Sequence, residues 1–216
     1  MEPAEAKRIL GEADLIHTAA EVTAALDRIA HAVTARLQER NPLVVTVMGG
    51  AIVFAGQLLT RLPFPLECDY VHASRYGNQT SGSELKWVKD THAPLAGRTV
   101  LLLDDILDEG ITLAAIKARL LEHGAAEVIT AVLADKDIGR DKPISADVVG
   151  LTLPNRYVFG CGMDVEGMWR NLPAIYALSE RPKGRSEEVP LGGALSERPK
   201  GRSEEVPLGD ALKDVR

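Results

Sequence analysis

The sequence predicts an α/β protein with a mostly parallel, twisted sheet flanked by helices. Runs at 43–48, 100–103 and 128–134, apolar or β-branched throughout, suit strands buried on both faces, as in a parallel sheet. Between them lie stretches whose apolar residues recur every three or four positions, the spacing of packed helices. A further observation places a site on that fold: the run at 100–103 ends in two adjacent carboxylates, Asp104 and Asp105, and a turn containing glycine follows. In open α/β sheets, ligands bind at the carboxyl ends of strands.

Residues 1–41 read as helical, with Val22, Leu26, Ile29, Val33 and Leu37 on one apolar stripe. Thr18 and Glu21 have capping-box spacing, and Asn41 and Pro42 end the stretch. The run at 43–48 leads into Gly49 and Gly50, and 51–62 reads as a helix stopped by Pro63. A strand is expected over 66–73. Residues 74–90 turn polar, which predicts a functional loop or mobile flap. Gly97 and Arg98 lead into the acidic-tipped strand. The helix expected over 112–123 directs Leu113, Ile116, Leu120 and Leu121 inward and stops at Gly124, a good C-terminal cap. Further strands are expected over 128–134, 147–153 and 156–160. The tail differs in kind: ALSERPKGRSEEVPLG at 177–192 recurs unchanged at 194–209. Charged and rich in Pro, Gly and Ser, it has little to bury and is expected to be disordered. The folded domain is therefore placed at 1–178 and the duplicated tail at 179–216.

At 45% apolar and 26% charged, the chain can bury one ordinary core. A net charge of −6 argues against the clustered basic face that nucleic acid requires. No apolar run approaches the ~20 residues of a membrane helix, and the N-terminus lacks the build of a signal peptide. A cytoplasmic protein with neither nucleic-acid nor membrane partners is expected. Cys68 and Cys161 are too few for a disulfide framework or a structural zinc site and read as small core residues. The histidines show no ligand spacing. An acidic chain that handles a polyanionic substrate will need a metal counter-ion.

The segment VLLLDDILDEGIT, residues 100–112, is the most informative. It combines a buried strand, an acidic tip (Asp104, Asp105, then Asp108) and a turn at Gly110 and Thr112 that opens a helix. Backbone N–H groups at a helix N-terminus favour phosphate, and ionised carboxylates accept from paired hydroxyls. Together they suit a phosphorylated sugar. An apolar strand ending in acids also suits a Walker B strand, but that reading needs a GxxxxGK[ST] loop, and Gly49 and Gly50 are followed by no lysine. A receiver-type acidic pocket leaves Gly110 and Thr112 unexplained. The plainest alternative is a buried strand ending in solvated acids.

Four apolar residues, two acids, two apolar residues, Asp, any residue, Gly, any residue and Thr make up the pattern of the phosphoribosyl pyrophosphate motif. The segment resembles that motif in type I phosphoribosyltransferases. Over residues 10–178 the chain resembles, more narrowly, the hypoxanthine-guanine phosphoribosyltransferases. VMGG (47–50) resembles their first active-site loop and RYGNQTS (75–81) their mobile second loop. Lys136 stands where the family has its base-reading lysine. RYVFGCGMD (156–164), followed by WRNL (169–172), resembles the hood that closes over the purine.

The resemblance implies a Mg²⁺-dependent purine-salvage transferase. Hypoxanthine or guanine, with phosphoribosyl pyrophosphate, would give IMP or GMP and pyrophosphate. It also implies the type I phosphoribosyltransferase fold with a small hood, and a homodimer or homotetramer. Asp104 and Asp105 would hold the ribose hydroxyls, directly or through Mg²⁺. Asp108 would serve as the general base near purine N7. Glu109, Gly110, Ile111 and Thr112 would cradle the 5-phosphate. Lys136 would donate to the 6-oxo group, Tyr157 would stack on the base, and the Val158 backbone would read its edge. Asp164 would bind a second Mg²⁺, and Arg170 would reach the pyrophosphate with its planar fork. The Gly49–Gly50 peptide, strained or cis, would meet pyrophosphate with its N–H, and Tyr76 would cover it. On residue chemistry alone, Lys136 reads as a surface lysine, Tyr157 as a core aromatic beside Phe159 and Arg170 as a solvated helix charge. Three departures from the family pattern stand out: no lysine in the first loop, Glu109 in place of a small Ser or Thr, and an apolar Ile111. The alternative from another class is a non-catalytic regulator of this fold that senses phosphoribosyl pyrophosphate.

Overall fold

A computed structural model of the chain describes residues 1–75 and 85–179. Residues 76–84, which include Tyr76, and the tail from residue 180 lie outside the described residues. In chain order the elements are α1 (Pro3–Glu12), β1 (Asp14–His17), α2 (Ala19–Leu37), β2 (Leu43–Met48), α3 (Ile52–Leu59), β3 (Glu67–Arg75) and β4 (Leu85–Lys89). They continue with β5 (Thr99–Leu107), α4 (Ile111–Glu122), β6 (Glu127–Lys136), β7 (Val148–Leu153), β8 (Val158–Phe159) and β9 (Ile175–Ala177).

Among the described residues, six strands form the main sheet in the order β4-β3-β2-β5-β6-β7. Every neighbouring pair is parallel except β3 and β4. Parallel strands need crossovers, and these put helices on both faces. Val22, Leu26, Ile29 and Val33 of α2 and Phe54 and Leu58 of α3 pack on one face with Leu101 and Leu103. Leu113, Ile116 and Leu120 of α4 pack on the other with Val100 and Leu102. Residues 100–103 of β5 are therefore completely buried from both sides, which fixes the end of this strand.

The second sheet is small and antiparallel, in the order β1-β9-β8. Its strands come from opposite ends of the described chain: Asp14 pairs with Ala177, and Val158 also pairs with Ala177. Phe159 and Tyr176 stack at 5.7 Å, Arg156 Nη2 donates to Asp14 Oδ2 at 2.5 Å and the Trp169 indole donates to Ala6 O at 2.8 Å. This sheet and the turns at 160–172 form the hood.

Several expectations need correction. Residues 1–41 are not one helix, because β1 interrupts them and α2 starts at the Thr18–Glu21 capping box. In that box Thr18 N–H donates to Glu21 Oε2 at 2.8 Å and Glu21 N–H to Thr18 Oγ1 at 3.2 Å. The strand partner of β1 lies at 175–177, too distant in sequence for local pattern to register. Nor is 74–90 wholly a loop. β4 pairs antiparallel with β3 at the sheet edge, and Trp87 turns inward beneath the Arg119 guanidinium, 4.4 Å from its ring centroid. The strand expected over 156–160 shortens to Val158–Phe159. Leu121 and Cys68 are exposed rather than inward; Cys161 is buried as expected.

Asp69 ties the β3–β4 edge to the chain that follows it. Its carboxylate accepts from the N–H groups of Tyr70, His92 and Ala93 at 2.7, 2.6 and 3.0 Å and from Lys89 Nζ at 3.1 Å. Burial alone would raise the Asp69 carboxyl, but these donors outweigh it and hold the group at about 2, against an ordinary 3.8. A depressed folded-state pKa stabilises the fold above the unfolded value, and that contribution is lost as pH falls through the folded one. Asp69→Asn should therefore lower the melting temperature at pH 6, and the gap from wild type should close between pH 4 and pH 2. A gap that is constant with pH would rule out this source of stability.

Candidate active site

The floor of the site is the end of β5. Asp104 and Asp105 are only 9% and 7% exposed. Asp105 N–H donates to Asp104 Oδ1, and Ile106 N–H to Asp105 Oδ1, each at 3.0 Å. Burial, then the neighbouring Asp105 charge, pushes the Asp104 carboxyl well above the usual range. Burial also raises Asp105, where the positive charge of Arg170 acts in the opposite direction. Two buried acids short of positive charge form a donor set suited to a hard cation. Mg²⁺ is commonly held by one or two carboxylates together with substrate phosphates and water, so Asp104 and Asp105 fit it. Among the described residues, no group of three or more His, Cys, Asp or Glu converges as a complete metal cage.

The wall beside this floor is an ion pair. Lys136 Nζ, at the end of β6, lies 2.9 Å from Asp108 Oδ2 on the turn after β5. The Lys136 side chain is 11% exposed, which excludes the plain surface lysine. Parallel pairing of β5 and β6, with Leu107 opposite Asp135, brings the two residues together.

The anion-binding turn follows. Gly110 caps α4 with a left-handed φ of 80°, and Ile111 begins the helix with its side chain half exposed. Backbone N–H groups at a helix start favour phosphate, and this first turn of α4 is where the sequence expects the phosphate contact. Glu109 turns toward the neighbouring loop, where its Oε1 accepts from Arg140 Nη2 at 2.9 Å.

The hood supplies the roof. A cavity of about 240 Å³ lies between Asp105, Asp108 and Lys136 below and Tyr157, Val158 and Arg170 above. Ligand pockets usually span ~300–1,000 Å³, so this is one subsite of a larger site. Tyr157 is 54% exposed rather than packed in the core; Phe159 takes the core position. Burial first, then the negative charge of Asp164, raises the Tyr157 hydroxyl. Arg170 lies outside any helix and donates to Gly162 O at 2.6 Å. It also pairs with Asp164 Oδ1 at 2.6 Å, while Asp164 Oδ2 accepts from Gly167 N–H at 2.7 Å. Both Asp164 oxygens are thus engaged within the hood. Ile106 and Met163 also line the cavity; sequence reasoning missed both because apolar wall residues look like any other core residue.

The first loop meets floor and hood at van der Waals limits. A Cβ on Gly50 would lie 2.3 Å from Asp105 Oδ2. A Cβ on Gly162, whose φ is 108°, would lie 2.2 Å from Gly50 O and 3.3 Å from Asp105 Cβ. The cis peptide is Met48–Gly49, one bond earlier than the Gly49–Gly50 bond expected from sequence. Tyr76, the expected cover of the pyrophosphate, lies outside the described residues.

Residues 12–166 match the phosphoribosyl transferase domain. The chain belongs to that family. As a phosphoribosyltransferase it is similar to the hypoxanthine-guanine phosphoribosyltransferase of Lactococcus lactis, 38% identical over 146 residues that make up 67% of this chain and 79% of that protein. It is 43% identical over 143 residues to the bifunctional protein TilS/HprT of Listeria innocua, which covers 66% of this chain. The chain spans only 22% of that relative's length. Among solved structures, a hypoxanthine phosphoribosyltransferase from Staphylococcus aureus superimposes with a TM-score of 0.75 at 26% identity, covering 80% of this chain and 95% of that one. The architecture is the type I phosphoribosyltransferase fold.

The close approach of first loop, floor and hood leaves no room for a methyl group at 162, and the positive φ adds backbone strain to any side chain there. Gly162→Ala should cost about 2 kcal/mol or more in urea unfolding. A loss below about 0.5 kcal/mol, the range of neutral surface changes, would mean the contact gives way easily.

Proposed function

We propose that this phosphoribosyltransferase joins a 6-oxopurine, hypoxanthine or guanine, to phosphoribosyl pyrophosphate, releasing pyrophosphate and yielding IMP or GMP. The observation that carries the reading is the Asp108–Lys136 pair under Tyr157 and Val158. An ammonium is donor-only and an ionised carboxylate acceptor-only. Side by side, they complement the 6-oxo group and the N7 proton on one edge of a 6-oxopurine. Each would exchange its present partner for the base. The names of the relatives support the same chemistry.

In this reading Asp108 takes or shares the N7 proton, Lys136 holds the 6-oxo group, and Tyr157 stacks on the ring. The α4 N-terminus holds the 5-phosphate, and Asp104 and Asp105 hold the ribose hydroxyls. The hood excludes water, with which the activated ribosyl group would otherwise react. Asp104, Asp105 and, once released from Arg170, Asp164 would hold Mg²⁺; bound there, the ion would offset negative charge on the departing pyrophosphate. Arg170, freed in the same exchange, would turn its guanidinium to the pyrophosphate. The reading includes a cytoplasmic homodimer or homotetramer in which residues 1–178 form the working domain.

The direct assay supplies Mg²⁺, phosphoribosyl pyrophosphate and, separately, hypoxanthine, guanine, xanthine and adenine. Nucleotide should form with at least one 6-oxopurine. Adenine presents an amino donor to the Lys136 donor, so its kcat/KM should be at least ~10²-fold lower. No nucleotide from any base would overturn the reading. Asp108→Asn should lower kcat by ~10²–10⁴-fold, as for loss of a placed general base, with phosphoribosyl pyrophosphate affinity within about threefold by calorimetry. Equal losses in both would contradict the base assignment.

A further inference from the structure

We infer that Lys142 is a positioning residue that holds Asp108 and Lys136 in register, an assignment that rests on the roles proposed for those two groups. Lys142 lies on the loop between β6 and β7, outside the candidate cavity. Its side chain is 11% exposed. Its ammonium donates to Leu107 O at 2.8 Å, Lys136 O at 2.6 Å and Asp135 Oδ1 at 2.5 Å. A lysine has three donors, and all three are used.

The choice of acceptors matters. Leu107 O belongs to the peptide that leads directly into Asp108. Lys136 O belongs to the residue whose Nζ meets Asp108. One buried cation therefore bridges the last peptides of β5 and β6 at the point where the two strands present their functional side chains. Ladder pairing between β5 and β6 ends at Leu107 and Asp135, so beyond that point Lys142 replaces strand pairing as the cross-link. Asp135 balances its charge.

The same loop supports the phosphate turn from below. A Cβ on Gly110 would lie 3.2 Å from Ile144 Cγ2 and 3.5 Å from Lys142 Cβ, and Arg140 pairs with Glu109. Arg140 thus meets Glu109, Lys142 meets Leu107, and Lys142 and Ile144 flank Gly110. With every donor engaged on protein acceptors, Lys142 acts through Asp108 and Lys136 and not on substrate.

The test compares Lys142→Met, Lys142→Arg and Asp135→Asn with wild type. Geometric errors near 1 Å cost on the order of 10²-fold in rate. Lys142→Met should accordingly lower kcat by ~10-fold or more and raise the KM for the purine, while the KM for phosphoribosyl pyrophosphate stays within about twofold. Lys142→Arg should recover much of the loss, and Asp135→Asn should fall between it and wild type. That split distinguishes positioning from general destabilisation, which would lower active protein without moving one KM alone. Folded Lys142→Met with kcat and purine KM within about twofold of wild type would overturn the inference. If that variant does not fold, Asp135→Asn carries the same comparison.

Crystal structures of wild type and the folded variants decide the matter without turnover. Asp108 and Lys136 separated beyond about 4 Å, the limit of an ion pair, would support the inference, and an unchanged pair would overturn it. Wild-type protein inactive on all four bases would instead overturn the proposed transferase reading, and the crystallographic distance would still decide what Lys142 does.

Discussion

The site depends on three backbone segments meeting without room for a side chain. Gly50 of the first loop, Asp105 at the end of β5 and Gly162 of the hood occupy one small volume, and a Cβ on either glycine would overlap its neighbour. Each segment is fixed by a different part of the fold: β2 and α3, the doubly buried β5, and the β1-β9-β8 sheet. The contact therefore converts three separate packing arrangements into one geometry. Because protein interiors are close-packed, a displacement at any of the three is felt by the other two. Asp105 sits at their junction, so its orientation records whether hood and core are correctly docked.

Charge is handled by the same economy of space. The chain is acidic, at −6, yet one of its two proposed substrates, phosphoribosyl pyrophosphate, is a polyanion. The cations of the site do not wait unpartnered: Lys136 faces Asp108, Arg170 faces Asp164, Arg140 faces Glu109 and Lys142 faces Asp135. Burying a lone charge is costly, and pairing offsets that cost before substrate arrives. The pairs differ in kind. Arg140 and Glu109 are well exposed and solvent-screened, and such pairs contribute little to stability. Lys136 and Lys142 are each 11% exposed, so their partners determine where they point. Asp104 and Asp105 are the exception, a buried acid pair dependent on positive charge from outside the pair. Local neutrality elsewhere leaves that pair as the place where a cation gains most.

What was legible in the sequence follows from how locally each feature is encoded. The apolar run before Asp104, the spacing from Asp104 to Thr112, and the Thr18–Glu21 box are short-range patterns, and the structure reproduces them. Lys136 became readable only through family resemblance, since DKD by itself describes a surface turn. β1, β4 and β9 were not legible as strands, because three- to five-residue strands carry almost no periodicity and β1 finds its partner at 175–177, near the far end of the described residues. Lys142 was invisible for a related reason. It stands in a polar loop where composition predicts solvent, and only the folded chain shows two carbonyls and a carboxylate converging on it.

Glu109 shows how an unfavourable residue can be accommodated by that same loop. An acid in an anion-binding turn would repel phosphate if its side chain faced the ligand. Here the carboxylate faces Arg140, four residues beyond Lys136 on the strand's own continuation, while the turn keeps its backbone donors at the start of α4. Glu109 stands where the family resemblance expects a small Ser or Thr. This chain has an ion pair with Arg140 at the rim, and in the proposed reading the phosphate contacts fall to backbone N–H groups and Thr112. Ile111, half exposed at the first helical position, fits the same arrangement: its backbone has a role in the turn and its side chain has none. The turn proposed for phosphate is thus shaped by main-chain geometry at Gly110, and the loop from 137 to 147 packs against it.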